Sequence, residues 1–289
     1  MTNYINCIAH NSSEGNLLIG DTATALFDCG VGFCADDTIA KVKSALNGRD
    51  LDYIFGSHTH YDHIGALPYF RAAFPNVKYV TNEVGAATLQ KDTPRRVIRE
   101  MSKVAILDYG GGKPFVDYND NAFCADVVVA EGDVIDLGGV SVEIIETPGH
   151  TRDSLSFFVP ELELLILSET TGVLLDDNEM YTSCLTGFHA ALAAVEKCRK
   201  FPHKFLSLPH RGVVDGDSAT KYFELAEATI TECRDFILEM YAEKLGESEM
   251  LERFFERYSS PTLQQYQTRV AFDANAWASI YCAIRESGE

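Results

Sequence analysis

Positive charge is scarce in this sequence. Only 24 Lys and Arg stand against 43 Asp and Glu in 289 residues, a formal net charge of −19. That balance disfavours a protein that tracks phosphate backbones, which needs clustered basic side chains, and equally one that docks on anionic lipid. Neither a nucleic acid nor a membrane is expected as a partner. Long apolar runs are missing as well: Leu164–Leu167 and Ala190–Val195 are typical, far short of the roughly 20 residues that span a bilayer. The N-terminal stretch through Tyr4, Ile5, Asn6 and Cys7 is neither basic nor strongly apolar, so no secretory signal is visible. The eight cysteines, at 7, 29, 34, 124, 184, 198, 233 and 282, form no Cys-x-x-Cys pair. Reduced, buried thiols in a cytoplasmic protein are expected rather than a disulfide framework. No Ser or Cys lies in a nucleophile-elbow motif, and no internal repeat or low-complexity segment occurs.

What is present describes an ordinary globule with a full core, 46% hydrophobic and 23% charged. Residues 1–215 alternate short β-rich runs with glycine turns and helices. Leu17–Asp21 and Ala23–Phe27 read as a hairpin or meander. Asp36 and Asp37 start a helix that runs to Asn47, with Gly48 at its end. Leu51–Gly56 and Lys78–Thr81 read as buried strands, and Thr93-Pro94 as a helix start. Val127–Val129, Val134–Leu137 and Val140–Ile145 are strands separated by glycine turns. Leu155–Val159 and Leu164–Leu167 form another hairpin, Phe188–Lys200 is helical, and Phe205–Leu208 is a strand. From about Asp217 the apolar spacing becomes helical, predicting an appendage of at least three helices over 216–289. The body is expected to be a layered α/β sandwich.

One segment dominates the chemistry. Gly56-Ser57-His58-Thr59-His60-Tyr61-Asp62-His63-Ile64-Gly65 places three of the eight histidines and an aspartate within six residues. Chance at these frequencies gives the pattern with a probability of roughly one in two thousand. It follows a buried strand and leads into a helical pattern. His58 and His60, two apart in extended backbone, project to one side and can share a metal; Asp62 and His63 point to a second spot. Imidazole with carboxylate suits zinc, iron or manganese. Further ligand candidates stand where strands give way to turns: His150 in Thr147-Pro148-Gly149-His150-Thr151, Glu169 in Ser168-Glu169-Thr170, and His210 in Leu208-Pro209-His210-Arg211-Gly212.

In this order and spacing, these residues resemble the metallo-β-lactamase superfamily, most closely its glyoxalase II-like and thioesterase-like branches. Leu26-Phe27-Asp28-Cys29-Gly30 is similar to the family's early strand ending in Asp-x-Gly. The resemblance covers most of 1–215 and implies a four-layer αββα sandwich with a C-terminal helical appendage over 216–289. It also implies two divalent ions, zinc first, with iron or manganese as alternatives. His58, His60 and His150 would hold one ion, Asp62, His63 and His210 the other, and Glu169 would bridge them where the family usually has Asp.

The implied activity is metal-dependent hydrolysis. A hydroxide shared by two cations attacks an ester-type bond (thioester, lactone or phosphodiester) of a small molecule, and Asp62 orients that hydroxide. Two alternatives stand beside it. One is a metal-containing regulatory or binding protein whose tail occludes the site. The other is a di-iron or mononuclear-iron oxidoreductase, against which His60 counts because the related di-iron proteins carry Glu there. Tyr181 is a candidate donor to a substrate oxygen, with core packing as the equal alternative. The stripe Arg95, Arg99, Lys103 is read first as a solvated face and second as an attractor for an anionic substrate group. Trp277 and Tyr281 could close the pocket or pack in the core. The tail is expected to serve as a lid or as a homodimer interface.

Overall fold

The computed structural model of the chain describes residues 3–177 and 179–288. In chain order the elements begin with β1 (Tyr4–Asn6), β2 (Asn16–Ile19), β3 (Thr24–Phe27), α1 (Ala35–Leu46), β4 (Tyr53–Phe55), α2 (Tyr61–Ile64) and α3 (Leu67–Ala73). They continue with β5 (Lys78–Asn82), α4 (Glu83–Leu89), α5 (Asp92–Tyr109), β6 (Val127–Val129), β7 (Val134–Asp136), β8 (Ser141–Glu146) and β9 (Leu155–Val159). Then follow β10 (Leu164–Ile166), β11 (Val173–Leu174), β12 (Met180–Tyr181), α6 (Phe188–Arg199), β13 (Phe205–Leu208) and β14 (Gly212–Asp215). The tail is α7 (Gly216–Ala242), α8 (Glu247–Tyr258) and α9 (Arg269–Ser287).

One six-stranded sheet runs β1-β2-β3-β4-β5-β6 and the other β14-β13-β10-β9-β8-β7. Both are mixed. In the first, β3 to β6 are parallel, which requires crossovers long enough to return the chain, and helices α1 to α5 occupy them. In the second, α6 lies on the crossover between parallel β10 and β13. Strands β3 and β9 are buried along their whole length, Thr24 and Ser156 included, which is why they are mostly apolar, whereas β8 buries Val142 and Ile144 alternately.

Contact density divides the chain into two compact units: residues 1–145 with 157–162, and 146–156 with 163–289. The core of the first unit is aromatic. The Phe157 ring stands 5.1 Å from Phe27 and 5.5 Å from Phe55, and Phe27 stacks on Phe55 at 5.3 Å. The second unit is tied together by Tyr222 of α7. Its hydroxyl donates to the carbonyl of Gly172 at 2.7 Å and lies 2.9 Å from Thr171 Oγ1, inside the core.

Local differences from the sequence expectations have plain causes. Helix α1 is capped at Cys34, and Asp36 and Asp37 sit in its first turn, where they oppose the macrodipole rather than cap it. Asn47 and Gly48 then leave it with φ of +48° and +91°. Helix α5 begins at Asp92, after Lys91, so Pro94 sits inside its first turn. Helix α4, absent from the sequence reading, is short and is started by Asn82, whose side chain accepts the Gly85 N–H at 2.9 Å. Cys7, Cys29, Cys34, Cys184, Cys233 and Cys282 are free buried thiols and Cys124 an exposed one. Among the described residues, no helix is long and apolar enough to cross a membrane.

Truncating Phe157 removes a ring from a fully packed aromatic cluster. Phe157→Ala is expected to lower stability by about 3–5 kcal/mol, read as a fall in the urea midpoint at unchanged slope; a shift below about 1 kcal/mol would show that the cluster is loosely packed.

Candidate metal centre

In the first unit, the chain leaves β4 through Gly56 and enters α2 after His60. Gly56 must be glycine, because a Cβ there would stand 2.0 Å from the Tyr79 hydroxyl. His58 and His60 precede the helix, and Asp62 and His63 lie in its single turn. His58 is fully buried, and its Nε2 faces His60 Nδ1 at 3.0 Å. Asp62 Oδ2 lies 3.8 Å from His63 Nε2.

Asp28, directly after β3, organises this half. It adopts a left-handed backbone, φ +55°, which Asp tolerates better than most residues. Its Oδ1 accepts the Ser57 N–H at 2.7 Å, and its Oδ2 accepts from His63 Nδ1 at 2.8 Å. That second bond puts the His63 proton on Nδ1 and leaves the Nε2 lone pair for a metal. Ser57 Oγ stands 3.1 Å from His58 Nδ1. In the sequence Asp28 stands out only within its motif; its signal is an acid directly after the apolar Ala25-Leu26-Phe27.

In the second unit, the segment after β8 carries His150, which is fully buried. Its Nδ1 donates to the Ser183 carbonyl at 2.8 Å, which again turns the Nε2 lone pair, rather than a proton, inward. Its N–H donates to Thr170 Oγ1 at 3.1 Å. Glu169 opens the short 3-10 turn Glu169–Thr171 after β10. Its Oε1 lies 2.7 Å from His210 Nε2 and its Oε2 3.1 Å from His150 Nε2, so the carboxylate spans both imidazoles. His210 stands at the turn between β13 and β14 with φ +59°, and the Tyr266 ring approaches it edge-on at 6.1 Å. No sequence signal pointed to Ser183, Thr170 or Tyr266.

Two groups of side chains bring ligand atoms within 4.8 Å of one another: His58, His60 and His150, and Asp62, His63, Glu169 and His210. The donor set fits divalent metal. It is imidazole-rich with two carboxylates, and the outward nitrogens of His63 and His150 are held by a carboxylate and a backbone carbonyl, the arrangement that orients metal-binding imidazoles. These two His/Asp/Glu clusters are consistent with a dinuclear site.

Tyr181 is 5% exposed, its ring 6.0 Å from Phe272, and its buried hydroxyl has no hydrogen-bond partner among the described residues; burial, with the Glu169 charge adding to it, pushes the phenol well above its ordinary range. The basic stripe is spoken for. Arg99 pairs with Asp117 and Asp120 and stacks 4.4 Å over Tyr118, Arg95 donates to the Leu89 carbonyl, and Lys103 pairs with Glu100. It pins the 115–121 loop to α5. Tyr281 is 55% exposed and packs on Trp277 at 4.8 Å, so it belongs to neither a core nor a closed pocket.

A sequence model of the metallo-β-lactamase superfamily matches residues 16–210. The chain is similar to the metallo-β-lactamase fold-containing protein ST1585 of Sulfurisphaera tokodaii, 30% identical over 154 residues, 50% of this chain and 52% of that one. It is similar to the coenzyme F420H(2) oxidase of Methanothermobacter marburgensis, 29% over 160 residues, 54% of this chain and 33% of that one. Hydroxyacylglutathione hydrolase of Rhodopseudomonas palustris is 30% identical over 133 residues, 45% of this chain and 39% of that one. The matches thus span about half or less of these curated relatives. Among solved structures, the metallo-β-lactamase family protein TTHA1429 of Thermus thermophilus aligns with a TM-score of 0.66 at 16% identity, covering 100% of this chain and 95% of that one. The fold is the αββα sandwich expected from the sequence, with α7, α8 and α9 following it.

Asp28→Asn keeps an acceptor for Ser57 and tolerates the left-handed backbone, but presents an amide N–H₂ to His63. Metal affinity is expected to fall about 10–100-fold, measured by competition with a chromogenic chelator; wild-type affinity in the folded variant would show that His63 is not a ligand.

Proposed function

The chain belongs to the metallo-β-lactamase superfamily, and from that premise we propose that it is a metal-dependent hydrolase of an ester-type bond, thioester, lactone or phosphodiester, in a small molecule. The observation that carries this reading is the imidazole of His60, grouped with those of His58 and His150 beside a second cluster of Asp62, His63, Glu169 and His210. A di-iron redox centre of the fold would be expected to have Glu in place of His60. Similarity to hydroxyacylglutathione hydrolase supports the same direction.

A pair of divalent ions, when bound, supplies Lewis acidity and lowers the pKa of a coordinated water towards neutrality. The protein's own part is orientation. Asp28 and the Ser183 carbonyl hold His63 and His150 with Nε2 unprotonated, and Glu169 spans His150 and His210 with one oxygen each. The Asp62 carboxylate, in the first turn of α2, would accept a hydrogen bond from a coordinated water and orient it. Burial pushes the Cys184 thiol up to about 12 and that of Cys7 up to about 11, so both stay protonated near pH 7.

Protein loaded with Zn, Mn or Fe is expected to turn over at least one of a thioester, a lactone and a phosphodiester panel. His60→Ala, still folded by circular dichroism, is expected to lose roughly 10³-fold or more in kcat/KM. Absence of turnover on the whole panel would sink the hydrolase reading, and oxygen consumption by the iron-loaded protein with an electron donor would favour an oxidase.

A further inference from the structure

The geometry points to Glu286, near the end of α9, as a positioning residue for His150, acting through the segment 183–188. We propose that this contact makes the C-terminal helix part of the metal centre's support. The proposal rests on the reading of His150 as a metal ligand.

Helix α6 starts at Phe188 behind Gly187, which has no side chain with which to cap it. Its first N–H groups therefore need acceptors from elsewhere. Glu286 supplies them from 98 residues away: Oε2 accepts from Phe188 N at 3.0 Å and from His189 N at 3.3 Å, and lies 3.2 Å from His189 Nδ1. A carboxylate there also opposes the helix dipole. Beside it, Arg285 donates to the Thr186 carbonyl at 3.0 Å.

The segment so anchored grips His150 from two sides. Thr186 N and Oγ1 each donate to the Gly149 carbonyl at 3.0 Å, and Gly187 N adds a third bond at 3.3 Å. Ser183 holds His150 Nδ1 through its carbonyl at 2.8 Å and its hydroxyl at 3.0 Å. Gly149 leaves no slack, since a Cβ on it would stand 2.8 Å from the Ala191 Cα of α6. Movement of the α6 N-terminus is therefore transmitted to the ligand segment. Loss of such outer support costs a metal site affinity because the imidazole is no longer held in its binding orientation.

The test uses the full chain with zinc and cobalt(II) as probes. Glu286→Ala is expected to weaken zinc roughly 10-fold in a chelator competition and to alter the visible absorption of the cobalt form. Glu286→Gln, which keeps a side-chain acceptor for the two N–H groups, is expected to restore most of both. Arg285→Ala, a milder change, is expected to weaken zinc about 3-fold and keeps the test open should Glu286→Ala not fold. Arg269→Ala loosens the other end of α9, where Arg269 pairs with Asp273 and Glu252; it is expected to lower the melting temperature without moving zinc affinity. His150→Ala is the reference. If it loses zinc while the Glu286 and Arg285 variants bind like wild type, the proposal falls and the ligand assignment stands. If His150→Ala itself binds normally, both fall.

Discussion

The site depends on one constraint: a buried imidazole that is to bind a cation is held in its binding orientation by a partner on its other nitrogen. His63 and His150 are enclosed by protein, and an unoriented ring there could turn its proton towards the metal position. The structure meets the requirement twice with different chemistry, a carboxylate from Asp28 for His63 and the Ser183 carbonyl for His150. Each partner is in turn fixed: Asp28 by the Ser57 N–H, and Ser183 within a segment bonded to Gly149.

Backbone conformation follows the same constraint. Asp28 and His210 are both non-glycine residues in the left-handed region, a conformation that costs on the order of 1 kcal/mol or more for an L-residue. Both stand just beyond a strand end, Asp28 one residue after β3 and His210 two residues after β13. The strands hold these positions rigidly, and the unusual φ swings the side chain out of the alternation that a strand would impose. Gly56 and Gly149 serve the complementary purpose, letting the ligand-bearing turns approach Tyr79 and Ala191 more closely than any Cβ would allow.

Glu169 stands where the resemblance to the family implies an aspartate, and its side chain has the reach for two imidazoles. The longer side chain rises from a short 3-10 turn rather than from the strand itself and still presents one oxygen to each imidazole. The basic stripe of α5, read from sequence first as a solvated face, is engaged by side chains and carbonyls of its own neighbourhood. Its arginines are engaged by Asp117, Asp120, Asn121 and two backbone carbonyls, which leaves little of their charge for a ligand.

Much of the protein was legible in one dimension because the signals were local. The strands β2 to β5, the three tail helices, and the ligand candidates from His58 to His210 follow from periodicity, from turn residues, and from histidines set at strand ends. What the sequence could not carry was anything made by residues far apart in the chain. The tautomer of His63 depends on Asp28, 35 residues away, the start of α6 on Glu286, and the fate of Arg99 on a loop with no regular pattern. Helix α4 escaped because it is seven residues long and its cap, Asn82, is also the last residue of a strand. Donor types and their order were thus set by the sequence itself. Only tertiary structure decided which nitrogen of each ring faces inward, because a proton's position on an imidazole is chosen by the partner that folding brings to it.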